Sequence, residues 1–448
     1  MSQPLDSLTK SLLLAAGKAG ADAADAKAVR ATSVSVDVRG GMLEQAERAE
    51  GTDIGLRVFV GKRSATVSAS DTSERTIEDM AVRAVAMARE APEDPYAGLA
   101  EPEQLAQHWD AEALQLVDPA EEPSPEALQE DAAATEAAAL AVKGVSQVQS
   151  ASAGYSRQQI FLATTNGFEG GFGRTNRGLS CVAIAGSGSG MERDYDGDNR
   201  IFQSDLRDAA DIGQTAAQRA LARLEARKPP TGTYPVLFDE RVASSLIGHL
   251  LGAVNGNAIA RGASYLRHAL GEAILPDHLS LIEDPHRPRV GGSRPFDGEG
   301  LPTQRRMIVE NGVLMGWTLD LATARKLGMA PTGNAARGTS SGPSPTTWNI
   351  ALTQGAVSRD DLIREMGTGL LVTSMIGSTI NPNTGDYSRG ASGLWVENGE
   401  ITHAINECTI AGNLRDMLRA MIPANDGRPH LSRVVPSLLV PGMTLAGA

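Results

Sequence analysis

The stretch Ala31-Thr32-Ser33-Val34-Ser35-Val36-Asp37-Val38-Arg39-Gly40-Gly41-Met42 decides the reading of the fold. Its valines alternate with polar residues, the period-two pattern of a strand with one buried face, and Gly40-Gly41 supplies a hairpin turn. Ile54 to Val60, the turn Gly61-Lys62 and Ser64 to Ala69 repeat that pattern as a second hairpin. Helices flank the strands. Leu5, Leu8, Leu12 and Ala15 recur at helical spacing and predict a helix ending near Gly20. Ile77, Met80, Ala81, Ala84 and Ala88 predict another from about Ser73 to Glu90, stopped by Pro92.

The same order then recurs. An Ala-rich helix is expected from about Pro125 to Val142, strands around Val145–Tyr155, Gln159–Thr164 and Arg177–Gly186, and a helix from Ser204 to Arg227. Residues 1–228 therefore read as a duplicated helix, strands, helix unit with helices covering one face of an antiparallel sheet. Lys228-Pro229-Pro230-Thr231-Gly232 cannot extend the preceding helix and marks a boundary. Beyond it, residues 229–448 are expected to form a β-rich domain, with Asn311-Gly312 and Asn398-Gly399 as hairpin turns and helices at Asp239–Val254 and Arg359–Met366. The fold class is α+β.

The chain has 448 residues and a net charge of -13, from 41 Lys+Arg and 54 Asp+Glu. Between Glu90 and Val142 stand 14 acids and no Lys or Arg, so the remaining 40 acids nearly balance the 41 bases. The Pro-bearing part of that segment, 91–125, is expected to be a surface excursion with few core contacts. No basic stripe exists, which argues against direct nucleic-acid binding. Apolar runs such as Leu12 to Ala16 are far short of the ~20 residues that span a bilayer. Asp6 and Lys18 bracket that run, so no continuous signal core is present and a cytoplasmic protein is expected. Cys181 and Cys408 are the only cysteines, which excludes a disulfide framework and a cysteine-based zinc cluster.

Three motif matches carry little. Gly338-Thr339-Ser340-Ser341-Gly342 fits G-x-S-x-G, but Pro343 and Pro345 follow where a nucleophile elbow needs a helix. Ser7-Leu8-Thr9-Lys10 lies on the first amphipathic helix, where Lys10 reads as a solvated charge. Gly186 to Gly190 lacks dinucleotide-binding spacing. The helix Ser244-Ser245-Leu246-Ile247-Gly248-His249 is more informative. A metallopeptidase helix needs two His one turn apart and a Glu to activate the metal-bound water, and only the last position is present.

Gly248-His249-Leu250-Leu251-Gly252-Ala253, Ala260-Arg261-Gly262, Ala324-Arg325-Lys326-Leu327-Gly328 and Thr332-Gly333-Asn334 together resemble the TldD/TldE family, formerly described as modulators of DNA gyrase. Gly385-Asp386-Tyr387-Ser388-Arg389-Gly390-Ala391-Ser392-Gly393, Trp395 to Gly399 and Thr409 to Leu414 look specifically like its TldE, or PmbA, branch. The resemblance covers nearly the whole chain. It implies a cytoplasmic heterodimeric metallopeptidase that cleaves unfolded peptides, implicated in microcin maturation and antitoxin turnover.

TldD-type chains carry His-Glu-x-x-x-His in this helix and a C-terminal Cys as a further ligand. Here Ser244 stands at the first His, Ser245 at the Glu, and the tail from Ile422 has no Cys. A serine hydroxyl is neither a strong zinc ligand nor a base near neutral pH. The resemblance therefore implies no cofactor in this chain, zinc in a TldD-type partner, and an unfolded peptide as the shared substrate. Asp386, Tyr387, Ser388 and Arg389, in the polar loop expected from Asn383 to Ser392, are the candidate substrate- or partner-facing residues; an Arg-carboxylate pair would explain Asp386 and Arg389 equally well. Two alternatives stand beside this reading: a stand-alone homodimeric binding or scaffold protein descended from the subunit, and a serine hydrolase using Ser340. Duplex DNA should not be bound at submicromolar concentration at physiological salt, because the one large charge concentration repels phosphate; fluorescence anisotropy with a labelled duplex checks this.

Overall fold

The computed structural model describes residues 3–447. Its N-terminal half contains helices α1 (Leu5–Ala19), α2 (Glu74–Glu90), α3 (Pro125–Leu140) and α4 (Ala209–Leu221). Its strands are β1 (Ala23–Arg39), β2 (Met42–Val60), β3 (Arg63–Ala69), β4 (Val145–Thr164), β5 (Glu169–Ala185) and β6 (Glu192–Arg200). The helix ends follow local chemistry. Gly20 closes α1 in the left-handed conformation, while Ser73 and Ser124 accept the free N–H groups of Thr76 and Ala127 at the starts of α2 and α3.

All six strands form one antiparallel sheet in the order β3-β2-β1-β4-β5-β6. Two units of helix, three strands and helix thus lie side by side, joined at β1 and β4 from Asp25↔Thr164 to Val38↔Ala151. The long strands let each unit cover its own end of one face. Ala24, Ala26 and Ala28 pack under α1 and α2, and Val34, Val36 and Val38 under α3 and α4.

Three details differ from the sequence expectation. β4 is one continuous strand, although Ser156 to Gln159 interrupts its apolar alternation; those residues lie between the two helix pairs. α4 is shorter at both ends than 204–227. β6 was not expected, because its alternation is one of charge. Asp194, Asp196 and Asp198 point inward and are buried, and arginines from elsewhere satisfy them: Arg207 and Arg219 at 2.7 and 2.6 Å from Asp196, and Arg241 at 3.0 Å from Asp194.

The 91–125 segment also corrects the expectation of a loose surface excursion. Its acids other than the buried Asp118 do face solvent, but Leu105 and Ala106 are buried with Leu162, Phe168, Phe296, Leu301 and Leu321. Trp109 packs 5.5 Å from Phe168 and 5.2 Å from Phe296, ring centre to ring centre. Arg325 donates to the carbonyls of Tyr96, Gly98 and Leu99, and Leu116 accepts from Thr175 N at the edge of β5 that β6 leaves uncovered. The segment is a strap tying the sheet to the C-terminal half. Its sparse apolar residues were read as solvated because their partners lie in other parts of the chain.

In the C-terminal half, β7 (Gly232–Phe238) leads into α5 (Glu240–Ala253). β7 is joined by β8 (Gly369–Ile380), β9 (Asp386–Glu397), β10 (Glu400–Asn413) and β11 (Leu438–Ala446). They run in the order β10-β9-β8-β7-β11, and Thr409–Ala411 of β10 also pair with Thr444–Ala446 of β11, closing the sheet into a barrel. Val236, Phe238, Leu370, Val372, Leu438 and Val440 share a core with Leu246, Ile247 and Leu250 of α5. Leu237, Leu371 and Leu439, on the other face, meet the helix Arg359–Met366. No helix among the described residues is long and apolar enough to cross a membrane.

The two halves meet on the face of the N-terminal sheet opposite its helices. Asp25 of β1 is buried between Arg57 of β2, whose Nε lies 2.7 Å from it, and Arg337 of the C-terminal half. Beside them Gly55 leaves room for the backbone of Thr339, since a Cβ there would lie 2.1 Å from its carbonyl oxygen. Asp25→Asn should lower stability by about 3–5 kcal/mol, because it leaves two buried arginines sharing a neutral partner. Equilibrium urea unfolding of the full chain, followed by tryptophan fluorescence, measures this.

Candidate functional site

α5 is capped by Asp239, which accepts from Arg241 N, and buries Ala243, Leu246, Ile247, Leu250 and Leu251 against the barrel. Ser244, Ser245 and His249 lie along the less buried side of that apolar stripe. Ser245 Oγ donates to Val242 O at 2.7 Å, within its own helix. His249 turns toward β9. Its ring stands edge to face on Tyr387, with centroids 5.8 Å apart and planes at 75°.

Burial, and then the nearby Arg389 guanidinium, hold the His249 pKa below the ordinary imidazole value. Its Nε2 is buried without a hydrogen-bond partner. Tyr387 is 2% exposed, its hydroxyl donates to Met375 Sδ at 3.4 Å, and burial pushes its pKa up to about 12. Arg389 Nε donates to Gly377 O at 2.8 Å.

The fold therefore brings the metal-motif remnant and the polar stretch together, but selectively. Tyr387 and Arg389 share the face of β9 that looks at His249, whereas Asp386 is exposed beside the hairpin turn. There Thr384 Oγ1 and Asn413 Nδ2 donate to the Asp386 carboxylate at 2.6 and 3.1 Å, which lowers its pKa. Ser388 alternates away from Tyr387 along the strand. Most of the stretch Asn383 to Ser392, read from sequence as a loop, is strand β9. No Arg389–Asp386 pair is present among the hydrogen bonds and ion pairs of the described residues; Arg389 uses a carbonyl instead.

Zinc needs three or four donors of the His, Cys, Asp or Glu type. Among the described residues no three of these converge to hold a metal ion. The side chains around His249 do not fit zinc: Tyr387 is neutral, Arg389 is a cation, and Ser245 is turned to its own backbone. Cys408 donates to Ala391 O at 3.1 Å from within the barrel core, and burial pushes its thiol pKa up to about 11.

Sequence reasoning missed two features of this region. Tyr265 presses its ring against Gly385 and holds a buried hydroxyl with no partner. β7 pairs with β8 only at Leu370–Val372, because the chain leaves for α5 immediately after Asp239 N bonds Val372 O. The edge of β8 from Thr373 to Ile380 on that side has no strand partner among the described residues, and Ile376 is 78% exposed there. The alternation in Gly369–Ile380 signals the strand, but an unpaired edge depends on where its neighbour turns away.

Residues 24–88, 118–224 and 231–447 match, in turn, domain 1, the central domain and the C-terminal domain described for the PmbA/TldA metallopeptidases. The chain is 38% identical over 443 residues to the metalloprotease PmbA of Escherichia coli O157:H7, covering 99% of this chain and 96% of that one. The chain belongs to the PmbA/TldD metallopeptidase family. A PmbA homolog of Haemophilus influenzae is 35% identical over 436 residues, covering 96% of this chain and 94% of its own. A crystal structure from Bacteroides thetaiotaomicron, described as a candidate modulator of DNA gyrase, has a TM-score of 0.91 at 28% identity, covering 99% of this chain and 98% of that one. TldE from Thermococcus kodakarensis shares the fold, with a TM-score of 0.84 at 21% identity over 98% of this chain and 100% of its own. In this chain α5 presents two serines, Ser244 and Ser245, and one neutral imidazole, His249.

Because folding depresses the His249 pKa, the unfolded chain binds its proton more tightly, and stability is lost as pH falls from the unfolded value of about 6.5 through the folded one. His249→Asn should flatten that part of the pH–stability profile, and guanidinium unfolding at pH 5 and pH 8 measures the difference.

Proposed function

We propose that this chain is the TldE-type, metal-free subunit of a heterodimeric TldD/TldE metallopeptidase, and that a TldD-type partner supplies the zinc and the water-activating Glu. The observation that carries this reading is the His249 environment: an orphaned, neutral imidazole beside Arg389 and Tyr387, with Ser244 and Ser245 where a ligand and a base would stand. The site is cytoplasmic on the same reading. The substrate is an unfolded peptide, and this subunit contributes walls and main-chain hydrogen bonds to the chamber.

The open edge of β8 supports that role. Thr373 to Ile380 can receive an extended chain as an added strand, a mode that admits unfolded peptides and excludes folded proteins. Closure of a homologous subunit over the metal site would also exclude water from the reacting bond. Arg389 lies behind this edge as a donor to Gly377 O and His249 packs on Tyr387; on this reading neither activates water nor binds metal.

Coexpression with the cognate TldD-type chain, followed by zinc analysis and cleavage of an unstructured peptide by each chain and by the mixture, tests the proposal. The isolated chain is expected to hold only substoichiometric zinc and to leave the peptide intact, and the mixture to cleave it. Ser244→His with Ser245→Glu should remain inactive alone, since two ligands without a third make a weak site. One zinc per isolated chain, lost in His249→Ala, would overturn the assignment; so would a folded, fully assembled His249→Ala complex that no longer cleaves. Copurification as a homodimer that never engages the TldD-type chain would favour the scaffold alternative.

A further inference from the structure

Four cations converge beside the joint between the two halves: Lys27 on β1, Arg174 on β5, and Arg294 and Arg337 from the C-terminal half. Lys27 Nζ donates to Arg337 O at 2.5 Å, and Arg174 donates to Gly291 O and Ser293 O at 2.9 and 3.0 Å. The Arg294 guanidinium lies 3.7 Å over the Trp348 ring. Burial, then Arg337, Arg294 and Arg174, push the Lys27 ammonium down to about 8, and burial with Arg174 lowers Arg294 as well.

The protein does not supply enough counter-charge. Asp25 is shared between Arg57 and Arg337. Asp297 acts at a distance on Arg294, but its carboxylate oxygens are taken by the N–H groups of Glu299, Leu301 and Ala335. Burial and the neighbouring Asp297 push Glu299 up to about 8, and its ion-pair partner is Arg57 at 3.9 Å, not one of these four cations. Donors are left over in the same place. The Arg337 side chain is only 1% exposed, yet its Nε and Nη2 have no acceptor, and the Nε atoms of Arg174 and Arg294 are likewise buried and unpaired. Buried guanidinium N–H groups without acceptors are costly, and a charged acceptor shared among them removes both the repulsion and the desolvation cost.

We propose that Lys27, Arg174, Arg294 and Arg337 form a binding site for an oxyanion, entered past the half-buried ends of Lys27, Arg174 and Arg294. The ligand chemistry is a carboxylate or phosphate-type group, presented either by a peptide or as a free ion. Planar guanidinium forks match two oxygens of such a group at once. Because the cluster spans both halves of the chain, the bound anion braces the joint at the rim of the interdomain contact. The site is separate from the His249 region and stands whether or not the subunit role proposed above is correct.

The test uses the full chain, with calorimetric titration and thermal unfolding at constant ionic strength set by sodium chloride. The probes are inorganic phosphate, an N-acetylated tripeptide with a free C-terminal carboxylate, and the same tripeptide as its C-terminal amide. Phosphate or the acid should bind saturably and raise the melting temperature, and the amide should not. Phosphate active with the acid silent assigns a free ion; the acid active with phosphate silent assigns a peptide carboxylate. Lys27→Met and Arg294→Met should each fold, with a melting temperature without anion equal to or above that of the parent, because a repelling charge is gone. Each should weaken binding of the active probe by about tenfold, the effect of losing one charge-assisted hydrogen bond. No binding by any probe, or equal binding by parent and both variants, overturns the proposal.

Discussion

The carboxylate of Asp25, held between Arg57 and Arg337, is the contact on which the arrangement of the molecule turns. Asp25 lies at the start of β1, the strand that also joins the two N-terminal units through β4. Fixing that residue fixes how the sheet presents its helix-free face to the C-terminal half. The position of Arg337 in turn sets the 338–342 loop, which passes so close to the sheet that only glycine fits at position 55. The G-x-S-x-G match around Ser340 is thus part of a joint, and Gly338 N bonds Ser341 Oγ within it.

The second contact between the halves is made of the same material. The inward aspartates of β6 hold Arg207 and Arg219 of their own half and Arg241 of α5, while Arg223 reaches Ser392 of β9. Buried ion pairs add little net stability, since desolvation consumes most of the attraction. They do reject wrong geometries, because an arginine displaced by one residue loses its partner. The apolar part of the joint is confined to the strap cluster around Phe168 and Phe296. Strength and specificity are thereby assigned to different patches of one interface.

This division explains which parts of the fold the sequence discloses. Valine alternation, serine caps and Gly-Gly or Asn-Gly turns are local signals, and they locate α1, α2, the early hairpins and the duplicated order of elements. β6 is invisible to such reading, because its buried face is Asp-Asp-Asp and becomes a strand face only when arginines far along the chain arrive. The strap fails for a related reason: Leu105, Trp109, Leu114 and Leu116 look like isolated apolar residues until Phe296 and Leu301 are placed beside them. At the candidate site, Ser244, Ser245 and His249 are legible as a departure from a motif. The pairing of His249 with Tyr387, more than a hundred residues away, is not, since it depends on barrel closure.

The barrel seam carries a kinetic consequence. β7 pairs with β8 across the interval from Val236 to Leu370 and with β11 across that from Gly232 to Leu445, so its neighbours lie roughly 130 and 210 residues downstream. The hairpins of the N-terminal sheet need only short loops and its β1–β4 joint a closure like that of β7 and β8, whereas the β7–β11 pairing requires closure of the longest interval of all before any reward is gained. The C-terminal half should therefore be the slow step in folding, with the apolar stripe of α5 and both edges of β7 uncovered until β8 and β11 dock. A chain caught in that interval exposes open strand edges and is prone to self-association.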